Sequence, residues 1–158
     1  MSQSQWCIDS PIGWLTLYEE DNCLTELRFG QPVPGEVPLC ATSLMEEAQS
    51  QLNAYFAGNL RQFGLPLAPR GTAFQQRCWQ ALLEIPYGQT CTYGQQAAVV
   101  GNPRAVRAVG MANHRNPLPI LIPCHRVIGK GNRLIGYAGG LIVKQFLLDM
   151  ERKAVCGG

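Results

Sequence analysis

The chain has 158 residues, 46% of them hydrophobic, which is enough for one domain or two small ones sharing an interface. No apolar run reaches the length of a membrane span, and no basic-then-apolar signal pattern opens the chain, so neither a membrane nor a secreted protein is expected. Seven cysteines are an odd count with no C-x-x-C spacing, which argues against a disulfide scaffold or zinc ribbon and for a reducing cytoplasm.

The formal net charge is only +2, but it is unevenly spread. Residues 1–60 hold eight acids and a single base, Arg28, whereas residues 61–158 hold twelve bases and three acids. No acid stands between Glu84 and Asp149, a stretch that carries Arg104, Arg107, Arg115, Arg126, Lys130, Arg133 and Lys144. An ordinary solvated face intersperses both signs, so a polyanion, most simply nucleic acid, is the expected partner.

In chain order, Gln5–Ser10, Gly13–Tyr18 and Leu24–Phe29 alternate apolar and polar side chains and are separated by turn-like breaks. They predict a three-stranded antiparallel meander. Residues 31–38 form a proline-rich loop. Ser43 with Glu46 predicts a capping box, followed by a helix whose inner face is Leu44, Ala48, Leu52, Tyr55 and Phe56 and which ends at Gly58. Histidine is absent from this half, so a His-containing zinc site is excluded there. Residues 61–70 are expected to be a surface linker. Thr72 and Gln75 cap a second helix lined by Phe74, Cys78, Leu82 and Ile85.

Thr92 and Gln95 cap a short helix over Tyr93–Val100, Gly101 turns the chain, and Asn102-Pro103 is expected to start a further helix running to about His114. Short helix, glycine turn and second helix make a helix-turn-helix pattern. Ala105, Val106, Val109 and Ala112 are expected on one face of the second helix, and Arg104, Arg107, Met111, His114 and Arg115 on the other. Ile120-Leu121-Ile122 predicts a short buried strand, Gly129–Asn132 a turn, and Tyr137–Gly140 a loop. Val143, Phe146, Leu147 and Met150 mark a last amphipathic helix with Glu151 at its end. Cys7, Cys23, Cys40, Cys78 and Cys91 read as small buried hydrophobes, and Cys156 as part of a glycine-ended tail.

The chemistry centres on Pro123-Cys124-His125-Arg126-Val127. The chain has only two histidines, and one of them adjoins a cysteine behind a stiff proline. A thiolate is a strong nucleophile, but at neutral pH it needs a base or cation nearby. In an extended segment neighbouring side chains point apart, so this pair requires a tight turn or a bridging water.

These residues resemble the O6-alkylguanine-DNA alkyltransferases, in their bacterial constitutive form. The resemblance rests on Asn116-Pro117-Leu118-Pro119-Ile120 ahead of the Cys-His pair, on Arg104–Gly110, on Gly136–Gly140 and on Lys144 with Glu151. It is detailed over roughly residues 72–152. It implies an α+β chain in two parts. Residues 1–66 would be a ribonuclease H-like α+β domain, and residues 67–158 a mostly helical DNA-binding and alkyl-acceptor domain. Cys124 would take the alkyl group from guanine O6, with O4-alkylthymine as a second candidate substrate, once per molecule. His125 would act as its base through a water, Glu151 would orient His125, Asn116 would be a hinge, and Tyr93 would donate a hydrogen bond or a proton to the departing guanine. Arg107 would fill the gap left by the rotated nucleotide in the minor groove, with Arg104, Ala105, Met111, His114, Arg115 and Lys130 as further DNA contacts. Val127, Tyr137, Ala138 and Gly139 would form the substrate pocket. No cofactor or metal is implied, and a monomer acting on double-stranded DNA is expected.

Two rival readings stand beside this one. A lesion-binding protein without chemistry would lack the cysteine. A cysteine hydrolase would require an oxyanion site and a sequence-distant histidine, and it fits poorly with the basic second half.

Overall fold

A computed structural model describes residues 3–35 and 37–157. Glu36, in the predicted proline-rich loop, lies outside them. The chain divides into two compact units, Met1–Arg70 and Gly71–Gly158.

In the first unit β1 (Gln3–Ser10), β2 (Gly13–Glu20) and β3 (Cys23–Phe29) form the expected antiparallel meander in the order β1-β2-β3. Asp21 and Asn22 both adopt positive φ, 51° and 65°, the geometry of a two-residue hairpin whose twist matches its strands. Ile8, Leu15, Leu17, Leu24 and Leu27 are buried with Met45, Ala48, Leu52 and Tyr55 of α1 (Ser43–Phe56). The cap of α1 is Thr42, not Ser43: its hydroxyl accepts from Met45 N at 3.1 Å. That starts the helix at Ser43 and puts Met45 on the inner face, with Leu44 and Phe56 half-buried.

Both open edges of the sheet are covered. Gln5 pairs with Leu39, and Leu24 with Leu67, through backbone bonds of 2.8–3.0 Å. Residues 66–68 are therefore not a free linker; they satisfy an edge that would otherwise expose unpaired amides.

The second unit packs α2 (Ala73–Leu83), α3 (Tyr93–Val100) and α4 (Val106–His114) against one another, with α5 (Leu141–Gly157) closing the chain. The predicted capping boxes form at both sites. Thr72 and Gln75 exchange bonds of 2.9 and 3.1 Å, and Thr92 and Gln95 bonds of 2.8 and 3.1 Å. Gly101 turns the chain at φ 99°, so the helix-turn-helix is present. Asn102 does accept a bond from Arg104 N, but that bond closes an isolated turn. Ala105, at φ −85° and ψ 33°, breaks helical continuity, and α4 begins only at Val106.

The apolar faces also differ from expectation. In α2 it is Trp79, with Cys78 and Leu82, that is buried. In α4 Val109, Ala112 and Asn113 face inward, whereas Val106 is 40% exposed. In α5 the inner residues are Lys144, Leu147, Leu148 and Glu151; Phe146 is exposed, and the helix runs on past Glu151 through Cys156. Among the cysteines read as buried, only Cys78 is; Cys40 is exposed and Cys7, Cys23 and Cys91 are intermediate. Among the described residues, no helix is long and apolar enough to cross a membrane.

Candidate active site

Residues 116–126 connect α4 to the Cys-His pair, and they are shaped by one side chain. Asn116 accepts from Leu118 N at 2.9 Å and donates to Ile122 O at 2.8 Å, closing the loop on itself. Inside that loop Ile120 takes φ 75°, a conformation that a β-branched residue adopts only when its surroundings over-determine it. The predicted strand over 120–122 is therefore a buried turn, stapled by Ile122 N to Leu118 O at 2.8 Å. Pro123, at φ −79° and ψ 66°, makes an inverse γ-turn in which Cys124 N donates to Ile122 O at 2.8 Å.

Cys124–Arg126 then form a single 3-10 turn. Successive side chains on such a turn diverge by about 120° instead of pointing oppositely as on a strand. A short parallel pairing of Val127-Ile128 (β5) with Cys91-Thr92 (β4) brings this turn beside the start of α3, where Tyr93 stands.

α5 supplies the other half. Lys144 and Glu151 are seven residues apart, two helical turns, and share its inner face. Glu151 Oε2 lies 2.7 Å from His125 Nε2. Arg126 grips the same carboxylate with Nε to Oε1 at 2.9 Å and Nη2 to Oε2 at 3.1 Å. His125, Arg126 and Glu151 are 0%, 7% and 1% exposed, so the triad is buried. Burial works to raise the Glu151 carboxyl, but the bonds from His125 and Arg126 prevail and hold it down at about 2. Burial pushes His125 below its ordinary value against the pull of Glu151. A neutral imidazole facing an ionised carboxylate carries its proton on Nε2 and leaves Nδ1 as an acceptor, and Nδ1 has no hydrogen-bond partner among the described residues.

Cys124 is 8% exposed and opens onto a cavity of about 430 Å³. Burial pushes its thiol up to about 11; a hydrogen bond with Asn116 and the charge of Lys144 work in the opposite direction. Burial thus outweighs both, and with the neighbouring imidazole neutral the nearby cation only partly compensates. Lys144 is itself fully buried, and its ammonium donates to the carbonyls of Ile135 and Gly136 at 3.1 and 3.3 Å.

Of the residues singled out from sequence, Tyr93, Arg107, Met111, His114, Cys124, Tyr137 and Ala138 line this cavity. Val106, Gly110, Asn113, Ile135 and Gly136 line it too and were not expected there. Tyr93 donates its hydroxyl to Ile135 O at 2.9 Å, and burial raises its pKa, which keeps it a donor. Arg104, Arg115 and Lys130 are exposed and Ala105 is half-buried; none of them lines the cavity. Val127, fully buried in β5, and Gly139 do not line it either. Sequence reasoning missed the roles of Arg126 and Lys144. The two-turn spacing of Lys144 and Glu151 was the available signal, hidden because charged residues are normally assigned to the outer face of a helix.

The family profile for the DNA-binding domain of 6-O-methylguanine DNA methyltransferase matches residues 73–153, and that for its ribonuclease-like domain matches residues 6–69. The methylated-DNA–protein-cysteine methyltransferase of Mycobacterium leprae is 52% identical over 94% of this chain and 92% of its own length. The constitutive enzyme of Bacillus subtilis is 49% identical over 91% of this chain and 92% of its own. The crystal structure of Mycobacterium tuberculosis OGT in complex with DNA superposes with a TM-score of 0.89 at 48% identity, covering 96% of this chain and 94% of that one.

Proposed function

The chain belongs to the 6-O-methylguanine DNA methyltransferase family and is a DNA-repair alkyltransferase, and we propose that Cys124 is its alkyl acceptor, with O6-alkylguanine in double-stranded DNA as the substrate. The observation that carries this reading is the convergence of Cys124, Tyr93 and Arg107 on one cavity, with the Glu151–His125 pair adjoining the cysteine.

An alkylated O6 is out of reach inside stacked DNA, so the nucleotide must rotate out, at a cost of roughly a few kcal/mol. Arg107 is exposed on α4 and lines the cavity, and from there it fills the gap in the minor groove. Exposed Arg104, Arg115 and Lys130 supply phosphate contacts.

Transfer then proceeds as one displacement. The Cys124 proton passes through a water to His125 Nδ1, and Glu151, fixed as a carboxylate by Arg126, holds the resulting imidazolium. Sulfur attacks the alkyl carbon, the C–O6 bond breaks, and the electron pair stays with the guanine, which takes up a proton from water as the His125 imidazolium gives up the one it received from Cys124. Tyr93 donates a hydrogen bond to the base as charge develops. Because the resting thiol is neutral, the thiolate forms only as the substrate reacts, which protects the cysteine from incidental oxidation. The thioether product has no neighbouring group to cleave it, so each molecule, acting as a monomer in the cytoplasm, reacts once. The same cavity is open to O4-alkylthymine.

The test is intact-protein mass after incubation with duplex DNA containing O6-methylguanine. One methyl per molecule on the Cys124 peptide, absent in Cys124→Ser, is the expected result. Tight binding with unchanged mass would instead identify a lesion reader, and repeated turnover on an ester would identify a hydrolase.

A further inference from the structure

The core between α3 and α4 contains a reciprocal pair of amides. Gln96 Nε2 donates to Asn113 Oδ1 at 2.9 Å, and Asn113 Nδ2 donates to Gln96 Oε1 at 2.7 Å. Both side chains are buried, 2% and 7% exposed. The second hydrogen of Gln96 Nε2 goes to Cys78 O on α2 at 3.2 Å, which fixes the orientation of the Gln96 amide and, through it, that of Asn113. Neither amide touches Cys124, His125 or Glu151 by hydrogen bond, yet Asn113 lines the cavity that Cys124 faces.

The spacing gives the pair a consequence for the site. Tyr93 and Gln96 are i and i+3 on α3; Gly110 and Asn113 are i and i+3 on α4. A methyl placed on Gly110 would meet the Tyr93 ring at 3.9 Å. Tyr93 against Gly110 and Gln96 against Asn113 are thus successive rungs between the same two helices, one turn apart. Apolar packing alone lets helices slide and rotate with small losses, whereas a two-point amide pair tolerates neither motion without leaving a buried polar group unpaired. Trp79, donating to Ala112 O at 2.8 Å, secures the same end of α4 to α2.

We propose that the Gln96–Asn113 amide pair is a positioning device for alkyl transfer: it sets the register of α4 on α3 and thereby the placement of Tyr93 relative to Cys124. The pair acts through the helix packing it sets: Asn113 lines the cavity, but its amide is turned to Gln96. The proposal rests on Cys124 being the acceptor and deepens that reading.

The test uses free O6-benzylguanine, so that DNA binding does not enter, with intact-protein mass giving the rate and thermal melting the stability. Wild type is measured first: a wild type that gains no benzyl group on Cys124 would defeat the functional reading itself. Gln96→Leu and Asn113→Leu each strand one buried amide, and both are expected to melt several degrees lower and react slowly. The double variant has no stranded amide, so its melting temperature should recover towards wild type. Its rate should nonetheless stay about tenfold or more below wild type, because register is no longer specified. A merely structural pair predicts that rate recovers along with stability; a double variant reacting within about twofold of wild type overturns the proposal. If the double variant does not fold, the exchanged pair Gln96→Asn with Asn113→Gln decides. It keeps both amides over the same span, so reaction within about threefold of wild type supports the proposal. An exchanged pair that cannot fold, or that reacts tenfold slower, overturns it.

Discussion

α4 and α5 belong to the same unit and treat charge in opposite ways. α4 turns Arg107 and His114 outward beside exposed Val106 and Met111, and keeps Val109 and Ala112 inside. α5 turns Lys144 and Glu151 inward and leaves Ile142, 87% exposed, and Phe146 outside. An exposed cation retains its hydration and remains available to a phosphate. Buried charges must be matched by partners: Lys144 by the carbonyls of Ile135 and Gly136, and Glu151 by His125 and Arg126 of the cysteine turn. Under the proposed function, the first helix would serve affinity and the second chemistry.

The contrast predicts unequal effects of substitution. Glu151→Gln should be the most damaging, because it leaves the Arg126 guanidinium buried without its counter-charge; removing one partner of such a pair costs about 3–5 kcal/mol. Chemical denaturation checks this, and a loss near zero would mean the triad is not buried as described. The pH dependence follows from the same group. The Glu151 carboxyl is held at about 2 against an unfolded value of 4.5, so its stabilisation is fully present above 4.5 and is lost as pH falls from there through about 2. That acid limb should flatten in Glu151→Gln.

Arg107→Ala should slow repair of duplex DNA roughly tenfold or more, yet leave reaction with free O6-benzylguanine nearly unchanged, since only the duplex must be opened. Equal losses on both substrates would remove the distinction between an affinity helix and a chemistry helix.

Lys144→Met should have the subtlest effect. Its charge lowers a Cys124 thiol that burial has raised to about 11, so removing it should push that thiol higher still and slow iodoacetamide labelling of Cys124 a few-fold at pH 9. Labelling of exposed Cys40 and Cys156 serves as the internal control. Unchanged labelling of Cys124 would show that the buried ammonium serves only the carbonyls of Ile135 and Gly136.

The two helices also differ in how well they could be read. The outward face of α4 was legible because amphipathic spacing assigns exposed cations correctly, although Val106 was put on the wrong side and the helix start was placed three residues early. The inward face of α5 was not legible, because periodicity counts Lys144 and Glu151 as polar and rotates the helix toward Phe146. The same limit hid Gln96 and Asn113, two amides that resemble surface residues until they are seen to satisfy each other. Thr42 was passed over for Ser43 because either hydroxyl can cap a helix and only the backbone path chooses between them.

The sequence by itself determined the meander, both Thr–Gln capping boxes, the glycine-turned helix pair and the Cys-His motif. Each of these depends on residues within a few positions of one another, where local geometry suffices. Tertiary structure alone decided that Cys124 and His125 sit on a 3-10 turn, that Arg126 and Glu151 clasp each other across 25 residues, and that the thiol rests neutral in its cavity. Those outcomes depend on which distant groups exclude water from one another, and spacing along a chain carries no information about that.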